Sequence, residues 1–379
     1  VKFCYFTPVP WPRLDARPER WPFPNSSFDA AQCVDLFADS VELLVHAEAC
    51  GFDWVGVGED HMTAYGLTPN PNLFLAAVAS QTRRVRLAVL GAPVPILNPL
   101  RVAEELAMLD VMSSGRVIAG LIRGVPQNYA AYNIDPGESR GRFAEATDLI
   151  VRAWTDDRVF SWEGAHYRFP CVSLWPRPVQ RPHPPLLFSA NSTESAVSGA
   201  RRRAMIGAIH MYNRDALRRV GEAVDAYRAA AVEQGWHPGP DRFVIGLQTC
   251  IAQTDAEARA ALSPAIDYQY GKLSGTYNAE KRRIAAEQPG YGLSPTEESP
   301  PSLDERIGLG IALCGSPDTV VRQIEALRSQ LGVGVICLHM QVGNLPLPVV
   351  RRGMELFAKH VAPAFRPPDH ARPKAGAVS

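Results

Sequence analysis

The sequence predicts an α/β fold, a (β/α)₈ TIM barrel with insertions, and three observations carry that prediction. Short apolar runs alternate with amphipathic runs along almost the whole chain, an order that requires parallel strands joined by helical crossovers. The strands number eight, each with a helix beside it, which is the count that closes a barrel. No Gly-x-Gly-x-x-Gly follows the first strand, so the doubly wound nucleotide-binding alternative lacks its fingerprint.

Lys2 to Phe6 is the first strand. Thr7 to Phe28 holds Pro8, Pro10, Pro12, Pro18, Pro22 and Pro24 together with Trp11 and Trp21. Proline excludes a regular helix and tryptophans are costly to leave wet, so this stretch reads as an ordered loop packed over the body. Val34 to Cys50 is helical and stops at Gly51; Asp53 to Val57 is the second strand, running into Gly58-Glu59-Asp60-His61. Leu73 to Gln81 is a helix, and Val85 to Leu90 a third strand ending at Gly91.

Asn98 to Arg123 is the most informative stretch. Leu100, Ala103, Leu106, Ala107, Leu109 and Met112 keep a helical period, and Pro99 suits the first turn, where its missing N–H is not needed. Gly115 ends that helix, because only glycine takes a left-handed conformation without strain. Val117 to Ile122 is then apolar throughout, as a strand covered on both faces must be, and it delivers Arg123-Gly124.

Ser139 to Trp154 is a helix, and the proline- and aromatic-rich stretch 160–184 reads as an excursion with a small hairpin. Leu186 to Ser189, Met205 to Ile209, Phe243 to Ile251 and Val333 to His339 complete the strands. Helices follow from Thr193 and over Ala216 to Glu233, Ala256 to Ala265, Pro317 to Gln330 and Leu347 to Val361. The polar, turn-rich stretch 268–306 reads as a second insertion near the catalytic rim. The expectation is one domain over residues 1–366 and a disordered tail over 367–379.

Composition narrows the function classes. Lys+Arg and Asp+Glu both number 39, so nothing favours nucleic acid or an anionic membrane as partner. Seven scattered cysteines without a Cys-x-x-Cys pair fit reduced, buried thiols, and no apolar run reaches a membrane span. The chain starts without a signal-peptide pattern, and the expectation is a soluble, cytoplasmic protein.

Chemistry in such a barrel sits at the carboxyl ends of the strands. There the sequence places Glu59-Asp60-His61, Gly91, Arg123-Gly124, Asn191-Ser192, His210 and His339. Arg123 beside a glycine suits an anionic ligand, or equally a neighbouring carboxylate. Asn191 with Glu194 three residues on fits a capping box, and the same helix start offers free N–H groups and hydroxyls to an anion. A phosphate fits between that helix end and Arg123, with Arg140 as a third contact. The histidine and acids lack metal-ligand spacing, and no Gly-x-Ser-x-Gly elbow appears, so neither a metal centre nor a serine nucleophile is indicated.

Together, Gly51-Phe52-Asp53-Trp54-Val55 leading to Glu59-Asp60-His61, the run from Pro99 to Arg116, Gly120 to Gly124, Glu138-Ser139-Arg140 and the ending from Gly315-Ser316-Pro317-Asp318 to Phe365 resemble the bacterial luciferase-like flavin monooxygenases. Ala64-Tyr65-Gly66-Leu67 with Pro69 to Leu73 further resembles the branch that includes limonene monooxygenase-like proteins. The resemblance implies a luciferase-like barrel that binds FMN as FMNH2, delivered by a separate NAD(P)H:flavin reductase. A flavin C4a-(hydro)peroxide formed with O2 would oxidise a small organic substrate by Baeyer–Villiger oxidation, hydroxylation or epoxidation. By position, Arg123, Arg140, Ser192 and Ser195 would hold the phosphate, with Val125, Ala190 and Asn191 alongside. Leu90 and Gly91 would lie along the isoalloxazine, joined by a candidate cis peptide.

Relatives typically read Glu-His-His where this chain has Glu59-Asp60-His61, so Asp60 stands in place of the histidine that assists proton transfer. Glu59, Asp60 and His61 remain the catalytic candidates; an ordinary carboxylate near pKa 3.9 serves that task poorly unless burial raises it. Trp11, Trp21, Phe23 and Phe28, with His210, are the expected walls of an apolar or polycyclic substrate pocket. Two other readings stay open: hydride transfer with a deazaflavin, and a non-catalytic flavin-binding protein. The resemblance also implies a homodimer formed through helices early in the barrel.

Overall fold

The structure, a computed structural model, describes residues 1–189, 192–287 and 300–366. The barrel strands are β1 (Lys2–Thr7), β2 (Trp54–Val57), β3 (Arg86–Pro93) and β4 (Val117–Ile122) in the first half. A hairpin of β5 (Phe160–Glu163) and β6 (Arg168–Val172) stands apart as its own two-stranded sheet. The second half adds β7 (Leu186–Ser189), β8 (Met205–Ala208), β9 (Phe243–Ile251) and, further on, β11 (Val335–His339). All pairings around the ring are parallel, and β11 against β1 closes it, with Cys4 opposite Cys337. This is the closed eight-stranded barrel that the strand–helix alternation predicts.

One strand was not anticipated. Ala312–Gly315 forms β10, which pairs only with the far end of β9, Gln248 to Ile251, while the near end of β9 serves the ring. β9 is long enough to do both.

Burial follows the alternation of side chains along each strand. Phe3 and Tyr5 of β1 join the layer between barrel and helices, while Cys4 and Phe6 point into the barrel and pack with Trp54, Ile118, Leu187 and Cys337. Both faces are therefore apolar, which is why these strands read as unbroken hydrophobic runs.

The helices are α1 (Ala30–Ala49), α2 (Pro71–Gln81), α3 (Pro99–Met112), α4 (Pro126–Ala131), α5 (Ser139–Thr155), α6 (Thr193–Arg201) and α7 (Ala216–Glu233). Then come α8 (Asp255–Tyr268), α9 (Gly275–Glu287), α10 (Leu303–Gly308), α11 (Pro317–Leu331) and α12 (Leu347–Leu356). Asn98 caps α3 through the N–H groups of Leu100 and Arg101, and Gly115 takes φ +81° just beyond the helix end, as the sequence requires. Buried Asp110 of α3 accepts bonds from Val179 N, Gln180 N and the Gln180 side chain, tying the hairpin excursion back to the barrel.

Two features shape the upper rim. The β3–β4 register shifts between Val89 and Ala92, so Leu90 and Gly91 bulge opposite Gly120, and the Leu90–Gly91 peptide is cis. A Cβ on Gly120 would collide with the Val89 carbonyl oxygen, so only glycine permits this approach. Of the stretch expected as turn-rich, residues 268–287 are instead helical: α8 passes through a π-helical segment, Gln269–Ser274, into α9, and residues 288–299 lie outside the described residues. The expected tail, 367–379, lies outside the described residues. Among those described, no helix is long and apolar enough to cross a membrane.

Candidate active site

A cavity of about 820 Å³ opens at the carboxyl ends of the strands. Its wall is built from what each strand delivers: Gly58-Glu59-Asp60 after β2, Leu90-Gly91 of β3, Ile122 to Val125 at the end of β4, Ser189 of β7 and Gly207 to Asn213 after β8. α9 and the end of α8 supply the remaining side.

The polar end lies where β4 meets α6. Arg123 and Arg140 both line the cavity, and the charge of Arg123 adds to burial in lowering the Arg140 pKa, so two guanidinium groups converge here. Arg140 pairs with Glu194 in the first turn of α6. The Arg123 carbonyl accepts a bond from the Tyr129 hydroxyl of α4, which fixes the backbone at the strand end. The α6 cap differs from the sequence expectation. Ser192, not Asn191, is the N-cap, its hydroxyl accepting from Ser195 N at 3.2 Å and meeting Ser195 Oγ at 3.0 Å. Glu194 is drawn off to Arg140 and does not complete a capping box. Asn191 and Ala190 lie outside the described residues.

The three residues after β2 separate. His61 is 5 % exposed and does not line the cavity; its Nε2 meets Glu59 Oε1 at 2.9 Å and its Nδ1 meets the Tyr132 hydroxyl at 3.1 Å. Glu59 and Asp60 do line it. Burial raises the Asp60 carboxyl to about 7, with His61 opposing the rise and Glu59 adding to it. The environment thus supplies the shift that an aspartate needs to exchange protons near neutrality. Burial also raises Glu59.

The aromatic lining is not the one expected. Trp11 is 3 % exposed and stacks on Phe28 at 5.7 Å, its backbone N–H donating to Ala64 O, and neither Trp11, Trp21, Phe23 nor Phe28 reaches the cavity. The proline-rich loop packs down on the segment after β2, with Phe23 N donating to Met62 O, and Tyr268 anchors it from α8 through Trp11 O and Leu14 N. Only Arg17 of this loop faces inward, its Nε donating to Thr276 Oγ1 at 3.1 Å.

Tyrosines take the walls instead. Tyr65, Tyr212, Tyr270 and Tyr277 line the cavity; Tyr65 and Tyr212 share a hydroxyl–hydroxyl bond of 2.9 Å, and Tyr212 Oη meets His210 Nδ1 at 2.7 Å. His210 is on the wall as expected, open to the cavity, and desolvation there, then His339 and Lys281, draw its pKa down. Tyr212, two residues beyond His210, was within reach of sequence reasoning; Tyr65 and Tyr277 were not, since only the fold brings them together. Among the described residues no group of three metal-ligating side chains forms.

The donor set at the polar end fits a flavin nucleotide. Two arginines and two serine hydroxyls at a helix start match a phosphate dianion, and the cavity is of the size that holds small-molecule ligands.

Comparison with known proteins shows the family and the fold. The family model described as luciferase-like monooxygenase matches residues 22–334. The solved structure of monooxygenase RslO1 from Streptomyces bottropensis is 30% identical with a TM-score of 0.75, the match covering 97% of this chain and 100% of that one. An FMNH2-dependent dimethylsulfone monooxygenase of Pseudomonas putida is 28% identical over 79% of each chain. The limonene 1,2-monooxygenase of Rhodococcus erythropolis is 25% identical over 86% of this chain and 80% of its own.

Proposed function

Since the chain belongs to the luciferase-like monooxygenase family and is a flavin-dependent monooxygenase, we propose that it works as the FMNH2-using oxygenase of a two-component system. A separate NAD(P)H:flavin reductase supplies the reduced flavin, and the substrate is an apolar or polycyclic organic molecule. The observation that carries this reading is the convergence of Arg123 and Arg140 on the Ser192–Ser195 start of α6, at one end of a cavity whose wall holds Leu90 and Gly91. The related dimethylsulfone monooxygenase is named as FMNH2-dependent.

In this reading Arg123, Arg140, Ser192 and Ser195 hold the phosphate, with Val125, which also lines the cavity, alongside. Leu90 and Gly91 carry the ring. Reduced FMN, when bound, supplies the electrons that activate O2 for transfer of one oxygen atom. Asp60 holds or releases a proton at its carboxylate, in the role relatives give to histidine. Buried His61 keeps Glu59 in place and is a positioning residue. The tyrosine wall offers apolar area with hydroxyl groups at its rim.

The same chain is proposed to act as a homodimer in the cytoplasm. Supporting the dimer, Leu73 on α2 is 71% exposed, and Met108, Val111 and Met112 on the neighbouring α3 are also exposed.

The test is oxygen uptake with ¹⁸O2, using reduced FMN regenerated by an added flavin reductase and a panel of cyclic ketones, alkenes and polycyclic phenols. Incorporation of one labelled atom into a product supports the reading. Hydride transfer from a reduced deazaflavin without O2 consumption, or tight flavin binding with no turnover, would replace it by one of the two other readings.

A further inference from the structure

Among the described residues Lys281 is the one cavity-lining lysine, and it comes from α9, not from the elements that carry the arginines assigned to the phosphate. It projects from α9 on the same side as Tyr277 and Asn278, four and three residues earlier. The helix is held at the mouth by Gln127 of α4, whose side-chain N–H donates to Tyr277 O at 2.6 Å, and by the Arg17–Thr276 bond. Among the described residues the Lys281 ammonium has neither a hydrogen bond nor an ion pair.

The acids around the cavity are mostly engaged elsewhere: Glu59 with His61, Glu194 with Arg140, and Asp215 with Arg218 at 3.0 Å. No ion pair joins Lys281 to Asp60 or Asp267, which also line the space. Burial draws the Lys281 pKa down to about 8, and its charge is felt by His210, next to the Tyr212–Tyr65 pair. Among the described residues nothing neutralises this half-buried ammonium, so an anionic ligand can complete it. Close by, Tyr65 and Tyr277 lie nearly parallel, 16° apart with ring centroids at 6.5 Å, and present flat aromatic surface.

We propose that Lys281 recognises an anionic oxygen, a carboxylate or phenolate, on a flat organic substrate that packs against Tyr65 and Tyr277. The proposal rests on the flavin reading, since it assigns the arginine end to FMN and leaves the α9 side to the substrate. It makes the substrate an organic acid or an acidic phenol and not a neutral terpene. His210, Tyr212 and Tyr65 then offer hydrogen bonds beside the anion.

The experiment uses FMN-loaded wild type, Lys281→Met and Lys281→Arg at pH 7. Four probes are titrated: 1-naphthoate against neutral 1-naphthamide, and 2,4-dinitrophenolate against neutral 2,4-dinitroanisole. The wild type is expected to bind at least one anion about tenfold or more tighter than its neutral counterpart, as a charged hydrogen bond of about 1.5 kcal/mol or more provides. Which pair shows the preference tells carboxylate from phenolate. Lys281→Met should abolish the preference, Lys281→Arg should keep it, and FMN affinity should be unchanged in both. No preference in wild type, or a preference that survives in Lys281→Met, overturns the proposal. So does loss of FMN binding in Lys281→Met, which would put the lysine on the cofactor. Absence of FMN binding in wild type refutes the flavin reading itself and is read separately in the same titration.

Discussion

Replacing Arg123 by alanine separates the phosphate from the rest of the flavin. Arg123 is half-buried at the end of β4, whereas the Arg140 side chain is 45% exposed and already shares Glu194. A charge-assisted hydrogen bond contributes about 1.5–3 kcal/mol, and the half-buried guanidinium, less screened than that of Arg140, belongs in the upper part of that range. Arg123→Ala should therefore cost about 2–3 kcal/mol of FMN binding, or about 30–150-fold in Kd. Arg140→Ala, whose charge is screened by water and by Glu194, should cost under about 1 kcal/mol, or about fivefold. Riboflavin lacks the phosphate, so both substitutions should leave its affinity within about twofold. Fluorescence titration of FMN and riboflavin against the three proteins measures all of this. An unchanged FMN Kd in Arg123→Ala, or an equal loss for riboflavin, would refute the assignment of the phosphate to this end.

Three further outcomes are expected. With the Asp60 carboxyl lifted to about 7, it is protonated below that pH and ionised above it. If it acts as a base, kcat/KM rises through pH 7, and Asp60→Asn flattens that inflection; an unmoved inflection assigns it to another group. His339 is 1 % exposed and burial lowers its pKa from 6.5 to about 4. Between those values the unfolded chain binds a proton that the native state refuses, so stability falls as pH drops, by about 1.4 kcal/mol per pH unit. Denaturation of wild type and His339→Gln at pH 7 and pH 5 should show the steeper loss in wild type; parallel losses would mean that His339 is protonated in the fold. Leu73→Lys with Met108→Lys should convert the proposed dimer to monomer in sedimentation velocity at unchanged helix content, and an unaltered dimer would place the interface elsewhere.

The barrel was legible because its strands are buried on both faces, so their apolar runs survive without knowledge of tertiary contacts. β10 escaped notice because Ala312–Gly315 is four residues long and pairs only with the spare end of β9. The stretch after α8 looked turn-rich because α9 carries few apolar residues, and its helix is supported by contacts from distant Gln127 and Arg17. The proposed phosphate end could be drawn from strand ends and a helix start, since local order places Arg123, Ser192 and Ser195. The substrate side could not: Trp11 and Trp21 looked like pocket walls, yet neither reaches the cavity, and Trp11 stacks on Phe28 of its own loop. The walls are tyrosines from segments 65, 212, 270 and 277, which meet only in the folded chain. Asp60 stood out in the sequence as a catalytic candidate, but its raised pKa arises from burial that no single sequence displays.

The most direct measurement is a crystal of the protein soaked in FMN. The phosphate is expected within hydrogen-bond distance of Arg123 and of the Ser192 and Ser195 hydroxyls, with the ring against Leu90–Gly91 and one face toward Tyr65 and Tyr212. A phosphate bound elsewhere at saturating FMN, with Arg123 turned from the cavity, would contradict the account.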